Sequence, residues 1–573
     1  MKSYRELYMK RLWSLTTLAV VLLSGGCNLD TENPNAPDAG RAFVDPSGLS
    51  QLLGGAVRTW VETRGGYFSA LVLTTMADNY TASWNNAALR FYSSVGVECP
   101  SRCGWSNSAT APEAAGGPNV EGQWYGNYTV LSSASDVLRA ISDGLCFDTN
   151  CEVDNTLTSR NTTIAKMLQG MALAGIALNY DQGFIVDEET DPSTVATLPF
   201  SPREEIRDAA ITKLEEAYTE AGVKSWTTPA EWHGVGGGRS YSNEQIQQLI
   251  RTMQAELLAL FPRNAAENEQ VAWAQVATYA SEGVSSGAAF DWEFYVDPSG
   301  NAFSAVPLDW VKIWGNSIGT MRVDTRVAAL LTTNHQHPWP EPNGNPCPTI
   351  SADRRVGDGS WGPEDDFNGY ATIAATANAG TDFACSGVPI FPAARGQYHQ
   401  SNLVHIRYNH LAYLGENLPE FDMNGQDPFY TTQMNDLLWA EGLIRSGNNV
   451  LGAQKINNSR VGRGGLPPLT GAESEDALLA ALQYEQEIEF MGQGGTPFYN
   501  RRRIDGLQPG TPRHMPVPAK ELDVLVREVY SFGGPGRPDM YRGGVGGGSS
   551  VRSAREIWDQ YQAMVREFAS RKR

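Results

Sequence analysis

Tryptophans beside polar residues occur in segments that lack helical periodicity. Trp84 precedes Asn85, and Trp105 precedes Ser106. Loops that carry aromatic rings are typical of binding surfaces, because a ring can stack on an apolar ligand face while polar neighbours bond its rim. Each ring could instead pack its loop onto the helices. Further tryptophans in the irregular middle of the chain are Trp292, Trp310, Trp314, Trp339 and Trp361. We take Trp84, Asn85, Trp105, Trp292 and Trp361 as candidate ligand-binding residues.

Acidic residues cluster in one loop and along one predicted helix. Residues 364–366 (EDD) lie near Trp361 and could supply an acid and a base for glycoside hydrolysis. Adjacent residues rarely reach the separation that such a pair needs, so an acidic surface loop or a set of calcium ligands is the favoured interpretation. Glu485, Glu487 and Glu489 alternate along a helix, where residues two apart point in different directions. We expect them to be solvated or packing side chains.

Motifs for metal or cofactor chemistry are missing from the sequence. His405 and His410 are five residues apart and therefore off one helical face, and no HExxH is present. A nucleophile elbow, a P-loop and a dinucleotide-binding glycine motif are also missing. We therefore expect no catalytic residues, no metal and no cofactor.

The cysteines suggest export. Two closely spaced pairs, Cys99 with Cys103 and Cys146 with Cys151, are typical of local disulfides in an oxidising compartment. Six cysteines nevertheless leave several pairings open. A zinc site built from these two pairs is the alternative. Besides Cys27, all the cysteines are disulfide candidates: Cys99, Cys103, Cys146, Cys151, Cys347 and Cys385.

Length, charge and composition exclude several classes of protein. The chain has 573 residues with 44 Lys+Arg against 64 Asp+Glu, a formal net charge of −20. Nucleic-acid binding needs a basic surface, so it is excluded. With 41% hydrophobic and 19% charged residues, the chain is too apolar to be disordered. This length predicts several domains or one large helical assembly.

The N-terminus predicts a lipid anchor. Basic residues precede the apolar stretch 12–23, which is too short to span a bilayer, and small residues then lead to Cys27. This order resembles a bacterial lipoprotein signal, in which Cys27 is acylated after residues 1–26 are removed. An ordinary secretory signal is the alternative. Residues 27–45 would then be a lipid-anchored tether.

Helical periodicity covers most of the rest of the chain, and strand signals are sparse. A capping box with proline is predicted at Ser201 and a second capping box at Ser242. Residues 286–430 are mostly irregular. The helices are predicted over 46–62, 68–80, 121–143, 162–180, 202–220, 242–261, 270–282, 431–446, 449–460 and 475–492.

Motifs in the C-terminal third resemble those of the SusD/RagB family of outer-membrane nutrient-binding lipoproteins. In order, they are 436–448 (DLLWAEGLIRSGN), 453–460 (AQKINNSR), 463–466 (RGGL), 482–490 (LQYEQEIEF) and 515–522 (MPVPAKEL). The resemblance extends to most of the chain, because the order of its parts is also similar. A lipoprotein signal is followed by paired helices, then by a long irregular insertion and then by further helices.

The resemblance implies a mainly α, SusD-like fold with tetratricopeptide-like helix pairs, a long loop-rich insertion and little β-structure. It implies an outer-membrane lipoprotein facing the cell exterior, which captures oligosaccharides or peptides for a SusC-like TonB-dependent barrel. The family commonly builds its sugar site in the early loop region that contains Trp84. A surface-anchored glycan-degrading enzyme and a structural lipoprotein that binds other proteins are the alternatives.

The predicted organisation follows from these patterns. An N-terminal helical part occupies 46–285, and the ligand-binding insertion occupies 286–430. A helical return covers 431–529, and 530–573 form a C-terminal tail.

Overall fold

The computed structural model describes most of the chain between residues 45 and 534, and these residues are mainly helical. The predicted fold class is therefore confirmed. The predicted signal peptide, Cys27 and most of the predicted tail lie outside the described residues. The described residues are 45–66, 68–82, 88–94, 99, 102–108, 119–191, 193–194, 197–296, 309–316, 321–332, 351–356, 380–385, 399–411 and 425–534.

Helices dominate the N-terminal part, as periodicity predicts. A π-helical turn, Glu62–Gly66, continues α1. The helix predicted over 162–180 begins earlier, at Thr156, and that predicted over 270–282 begins later, at Trp273. In chain order the helices are α1 (Pro46–Val61), α2 (Phe68–Met76), α3 (Leu89–Ser93), α4 (Glu121–Ser142), α5 (Thr156–Asn179), α6 (Arg203–Ala221), α7 (Asn243–Leu260), α8 (Ala265–Asn268) and α9 (Trp273–Ser281).

Short helices occur in the middle of the chain, and longer ones return after residue 431. The prediction of three returning helices is confirmed by α12, α13 and α14. In chain order these helices are α10 (Trp310–Gly315), α11 (Thr325–Leu331), α12 (Thr432–Arg445), α13 (Asn449–Arg460), α14 (Glu475–Glu489), α15 (Thr496–Arg502) and α16 (Ala519–Val524).

Paired strands join parts of the chain that are distant in sequence. All four pairs among the described residues are antiparallel: β1–β5, β2–β3, β4–β8 and β6–β7. The β4–β8 pair, with Trp292 opposite Tyr430, brings the two ends of the irregular middle together. The strands are β1 (Tyr80–Thr81), β2 (Gln182–Gly183), β3 (Ser201–Pro202), β4 (Trp292–Val296), β5 (Arg322–Val323), β6 (Phe383–Cys385), β7 (Leu403–His405) and β8 (Gly425–Tyr430).

Local sequence explains the starts of two helices, and the structure corrects the predicted start of a third. Asp45 accepts a hydrogen bond from the backbone of Ser47 at the start of α1, where Pro46 occupies the first turn. The capping box predicted at Ser242 is confirmed, because Ser242 and Gln245 bond each other's backbone N–H groups. The box predicted at Ser201 is wrong. Ser201 is paired in β3, and α6 starts at Arg203 without a side-chain cap.

Helices pack in succession around one continuous hydrophobic core. The α5 helix packs against α4 and α6, α7 against α6 and α9, and α12 against α9, α13 and α14. Trp60, Trp124 and Trp273 are buried in this core, as their helical spacing predicts, whereas Trp439 is half-buried. The burial of such side chains contributes roughly 1.5–3 kcal/mol each, so the apolar faces hold the array together.

Both short cysteine pairs form disulfides, as the sequence predicts. Cys99 is bonded to Cys103 and Cys146 to Cys151. Their sulfurs are therefore not the free thiolates that the alternative zinc site requires. Cys385 lies in β6, and Cys347 lies outside the described residues.

Membrane-spanning helices do not occur among the described residues, since none is both long enough and apolar enough to cross a bilayer.

Candidate ligand-binding site

Three of the five candidate ligand-binding residues, Trp84, Asn85 and Trp361, lie outside the described residues. The other two, Trp105 and Trp292, are described and can be placed in the fold.

Trp105 is buried, with 3% of its surface exposed. Its indole N–H donates to the backbone oxygen of His514 at 2.9 Å, and its ring lies 5.2 Å from that of Tyr92. The neighbouring Asn107 donates to the backbone oxygens of Val517 and Tyr530. The polar residues after Trp105 therefore join this loop to the C-terminal segment.

Trp292 is also buried, at 1% exposed, and belongs to β4. Its indole N–H donates to Nε2 of His233 at 3.2 Å, and its ring packs on Trp60 and Phe294. The expectation that Trp105 and Trp292 present stacking surfaces is thus corrected. Both rings are enclosed, because their N–H groups find partners inside the protein and their faces find other aromatic rings.

Trp310 keeps part of its surface exposed at the start of α10. Its ring lies 5.4 Å from the ring of buried Trp314, in an edge-to-face arrangement. The two residues are one helical turn apart, so they share a face of α10. Among the tryptophans that the sequence places in the irregular middle, Trp310 is the described one with exposed surface, and it is not one of the five candidate residues.

The α10 helix is held rigidly in place by charges at its base. Asp309 caps the helix by accepting from the backbone N–H groups of Val311 and Lys312. The buried ammonium of Lys312 lies 3.0 Å from Asp309 and 2.6 Å from Asp427 in β8. Burial opposes the charge, but the two carboxylates outweigh it and raise the pKa of Lys312. Trp310 therefore belongs to a helix that is fixed to β8.

A second contact fixes α10 to the N-terminal helices. A Cβ atom at Gly315 would lie 2.8 Å from the ring of Tyr80, and one at Gly65 would lie 2.7 Å from the carboxylate of Asp309. Only glycine permits these two close approaches. The hydroxyl of Tyr80 is also 2.7 Å from Nδ1 of His405 in β7. The base of α10 is thus packed against both the π-helical turn and β1.

The carboxylates of α14 point apart, as predicted, and of the two predicted roles, solvated or packing, the structure shows the packing one, because all three are buried. Glu487 lies 2.8 Å from Arg326 and 3.1 Å from Arg501. Glu485 lies on the other side of the helix, 2.7 Å from Arg355. Asp353, two residues before Arg355, is also its partner, at 2.7 Å. No sequence pattern marked Arg355 as a partner of Glu485 and Glu489, because they are more than a hundred residues away.

Glu489 is the centre of the group of ion pairs that also contains Glu485 and Arg355. Its carboxylate lies 2.7 Å from Arg407, 2.5 Å from Arg463 and 3.0 Å from Arg355, and it accepts from the hydroxyl of Ser459 at 2.7 Å. Burial alone would raise the pKa of Glu489, but the charges of the three arginines lower it far below the ordinary range. A carboxylate held ionised in this way cannot act as a general acid near neutral pH.

Glu485 and Glu489 are fully buried, so they do not offer a site for glycoside hydrolysis. They share the Nη1 atom of Arg355 and the hydroxyl of Ser459. This arrangement binds two helices and the irregular middle together. Trp310 of α10, which is partly exposed, is therefore the tryptophan among the described residues of the irregular middle that a ligand could reach.

Comparison with protein-family models gives no match, and comparison with curated sequences gives none either. Solved structures do match. A SusD homolog from Bacteroides thetaiotaomicron has a TM-score of 0.55 at 15% identity, covering 87% of this chain and 99% of its own.

Two further solved structures agree. A SusD superfamily protein from Bacteroides vulgatus has a TM-score of 0.53 at 14% identity, covering 84% of this chain and 97% of its own. A SusD-like carbohydrate-binding protein from Bacteroides fragilis has a TM-score of 0.51 at 12% identity, covering 86% and 90%. The chain therefore has the SusD-like fold that its ordered C-terminal motifs predict.

Proposed function

We propose that the protein is a non-catalytic surface lipoprotein that captures oligosaccharides and delivers them to a SusC-like TonB-dependent barrel in the outer membrane. The observation that carries this proposal is the SusD-like fold, which matches a solved SusD homolog over 87% of the chain. One of the three similar structures is described as a carbohydrate-binding protein.

The chemistry of the α10 face supports a sugar as the ligand. A partly exposed indole can stack on the apolar face of a pyranose ring, and the ring of Trp314 packs edge to face against that of Trp310. Because Lys312 and Asp427 fix α10, little side-chain freedom is lost when a ligand binds. We propose that Trp310 belongs to the same site as the candidates Trp84, Asn85 and Trp361, within the insertion 286–430 and the early loop.

Peptides are the second ligand class, because an exposed indole also binds apolar peptide side chains. The runner-up function is a surface-anchored glycan-degrading enzyme. Binding without catalysis is favoured because the clustered carboxylates of α14 are enclosed and paired with arginines. The acidic residues 364–366 lie outside the described residues.

The proposed location rests on the N-terminal sequence. Residues 1–26 would be removed as a lipoprotein signal, and acylated Cys27 would anchor the protein through the tether 27–45. A diacyl or triacyl cysteine is a stable anchor, whereas one chain would be reversible.

A glycan and peptide array probed with the purified protein tests the ligand class. We expect retention of one or a few oligosaccharides without any shortening of the glycan on prolonged incubation. Retention of peptides alone would replace the sugar with a peptide, and release of shorter glycans would favour the enzyme. Co-purification of a TonB-dependent barrel from outer membranes tests the partner, and its absence at native expression would count against delivery.

A further inference from the structure

A cavity lies inside the helical array, where α1, α4, α5 and α7 meet α15 and β8. Its volume is about 50 Å³. A buried water molecule needs about 10–15 Å³ of such space, so the cavity has room for about three to five of them. Apolar cavities stay dry, and the groups that line this cavity therefore decide what it holds.

An ion pair lines the cavity. Arg64, in the π-helical turn, lies 2.6 Å from Glu256 of α7, and 17% of the arginine side chain is exposed against 4% of the glutamate side chain. The carboxylate of Glu256 also accepts from the hydroxyls of Tyr430 and Thr496, which line the cavity too. The charges of Arg64 and Glu256 cancel. The cavity therefore suits a neutral occupant rather than an ion.

Polar atoms of three side chains at the cavity have no partner among the residues that the structure describes. Arg64 bonds through Nη1 and Nη2, which leaves its Nε–H free to donate. Gln123 and Asn127 of α4 donate through their amide nitrogens, which leaves Oε1 and Oδ1 free to accept. Both amide side chains line the cavity and are buried, at 5% and 2% exposed. Because a buried polar group without a partner is costly, the occupant must both donate and accept.

Gly175 of α5 provides the space beside these atoms. A Cβ atom at this position would lie 2.5 Å from Oδ1 of Asn127. Gly175 is itself partly exposed, although residues 171–173 and 176–180 on either side are buried. Since protein interiors are closely packed, partial exposure in the middle of a buried helix shows that the cavity is wide enough for water at this point.

We propose that the cavity binds a cluster of about three to five water molecules, which accept from Nε of Arg64 and donate to Oδ1 of Asn127 and Oε1 of Gln123. Water is neutral, fits the space and can donate and accept at once. The cluster supports the π-helical turn, in which Arg64 lines the cavity and Gly65 lies against Asp309 at the base of α10. Bound water inside the protein thus helps to hold α10 in position.

A high-resolution crystal structure of the unaltered protein tests the site. We expect ordered waters within hydrogen-bonding distance of Nε of Arg64 and Oδ1 of Asn127. Asn127→Leu introduces a larger, apolar side chain and should remove these waters. Asn127→Ser leaves more room and keeps a polar group, so it should retain the waters and gain one. Ser132→Leu, at an exposed position of α4, is the matched control and should change none of them.

Hydrogen exchange tests the support of the turn. In Asn127→Leu, the amides of residues 62–66 should exchange about tenfold faster than in the unaltered protein, because local opening becomes easier. Asn127→Ser and Ser132→Leu should keep the slow exchange. An equal rise in α12, which is distant from the cavity in sequence, would show that Asn127 stabilises the whole fold and would contradict a role for the waters in supporting the turn.

Other outcomes would overturn the proposal. Electron density without ordered water beside Nε of Arg64 would show that the cavity is dry. Additional mass in a native mass spectrum, together with elongated density in the cavity, would make the occupant a small polar organic molecule. If Asn127→Leu does not fold, the unaltered protein and Asn127→Ser decide the question, because the first must show the waters and the second must show one more.

Discussion

Arg355 donates from Nη1 to Oε1 of Glu489 at 3.0 Å, and both side chains are fully buried. The residues are 134 positions apart in sequence. Arg355 belongs to the irregular middle of the chain, whereas Glu489 ends α14. Their contact therefore joins the insertion to the C-terminal helices, and it does so with charges rather than with apolar packing. A buried ion pair is weak evidence for net stability, but the loss of one partner leaves an unpaired charge.

The first prediction concerns that unpaired charge. Arg355→Met should lower the free energy of unfolding by about 3–5 kcal/mol, because Glu485, Glu489 and Asp353 lose a shared buried cation. Urea unfolding followed by circular dichroism measures the change. Arg354→Met is the matched control, since the neighbouring Arg354 is exposed, and it should change stability by less than about 0.5 kcal/mol. Similar effects of the two substitutions would contradict the structural role of Arg355.

The second prediction is the acid sensitivity of the same cluster. The arginines lower the pKa of Glu489 in the folded state below its unfolded value of 4.5. The ionised carboxylate thus contributes stability that is fully present above pH 4.5 and is lost as the pH falls toward the folded-state pKa.

Glu489→Gln should therefore weaken the dependence of stability on pH below about 4.5, while lowering stability at pH 7. Stability curves between pH 3 and pH 7 measure both effects. Glu475→Gln, at an exposed position at the start of α14, should leave the fall in stability below pH 4.5 unchanged. If stability falls below pH 4.5 in Glu489→Gln as it does in the unaltered protein, other carboxylates control acid unfolding.

The third prediction concerns the loop closed by Cys146 and Cys151. Asp148 lies in this loop and accepts from the backbone N–H groups of Leu157 and Thr158 in the first turn of α5. Asn155 at the helix start makes no side-chain cap, so Asp148 replaces it. Asp148→Ala should cost about 1 kcal/mol, as loss of a helix cap does.

Reduction of the disulfide should produce a similar cost, because the short loop positions Asp148. In a reduced protein, Asp148→Ala should then have a smaller effect than in the oxidised protein. Thermal unfolding of both forms measures this non-additivity. Glu152→Ala, at an exposed position just after the loop, should be neutral. If the effects of Asp148→Ala and of reduction are fully additive, the helix cap made by Asp148 does not depend on the disulfide.

The sequence predicts the helices well because their signals are local. Spacing identified α1, α4 and α12 within about two residues, and the capping box of α7 was found from Ser242 and Gln245 alone. The two disulfides follow from close cysteine spacing. At Ser201 the same local pattern failed, because Ser201 pairs with Gly183 of β2 and the helix begins only at Arg203, after Pro202.

The site was less predictable, because exposure depends on contacts distant in sequence. Trp105 is enclosed by residue His514, and Trp292 by Trp60 and His233, none of which is a sequence neighbour. For the same reason the sequence could not decide whether the carboxylates of α14 are solvated or packing side chains, because the arginines that pair with them come from other elements. The sequence did contain a signal for the position of Trp310. Asp309, a residue type that caps helices, directly precedes Trp310, and Trp314 follows one helical turn later.

The fourth prediction tests the anchor. If Cys27 is acylated, Cys27→Ser should release the protein from membrane fractions or leave residues 1–26 uncleaved. Mass spectrometry of the N-terminal peptide of the unaltered protein should show more than one acyl chain, because one chain gives only reversible attachment. Normal membrane retention of Cys27→Ser would contradict the lipoprotein assignment and favour an ordinary secretory signal.

The last prediction concerns the aromatic face of α10. Trp310→Ala should weaken glycan binding by about 30-fold, equivalent to about 2 kcal/mol, because it removes the partly exposed ring proposed to stack on the sugar and leaves the buried Trp314 in place. Calorimetry with the glycan identified on the array measures the loss. Thermal stability should change little, whereas Trp273→Ala in the core should cost about 3–5 kcal/mol without a direct effect on affinity. Trp439→Ala removes a half-buried tryptophan from α12 and is the matched control for binding. Equal affinities of Trp310→Ala and Trp439→Ala would exclude α10 from the site, and Trp84 and Trp361 would then be the tryptophans to substitute.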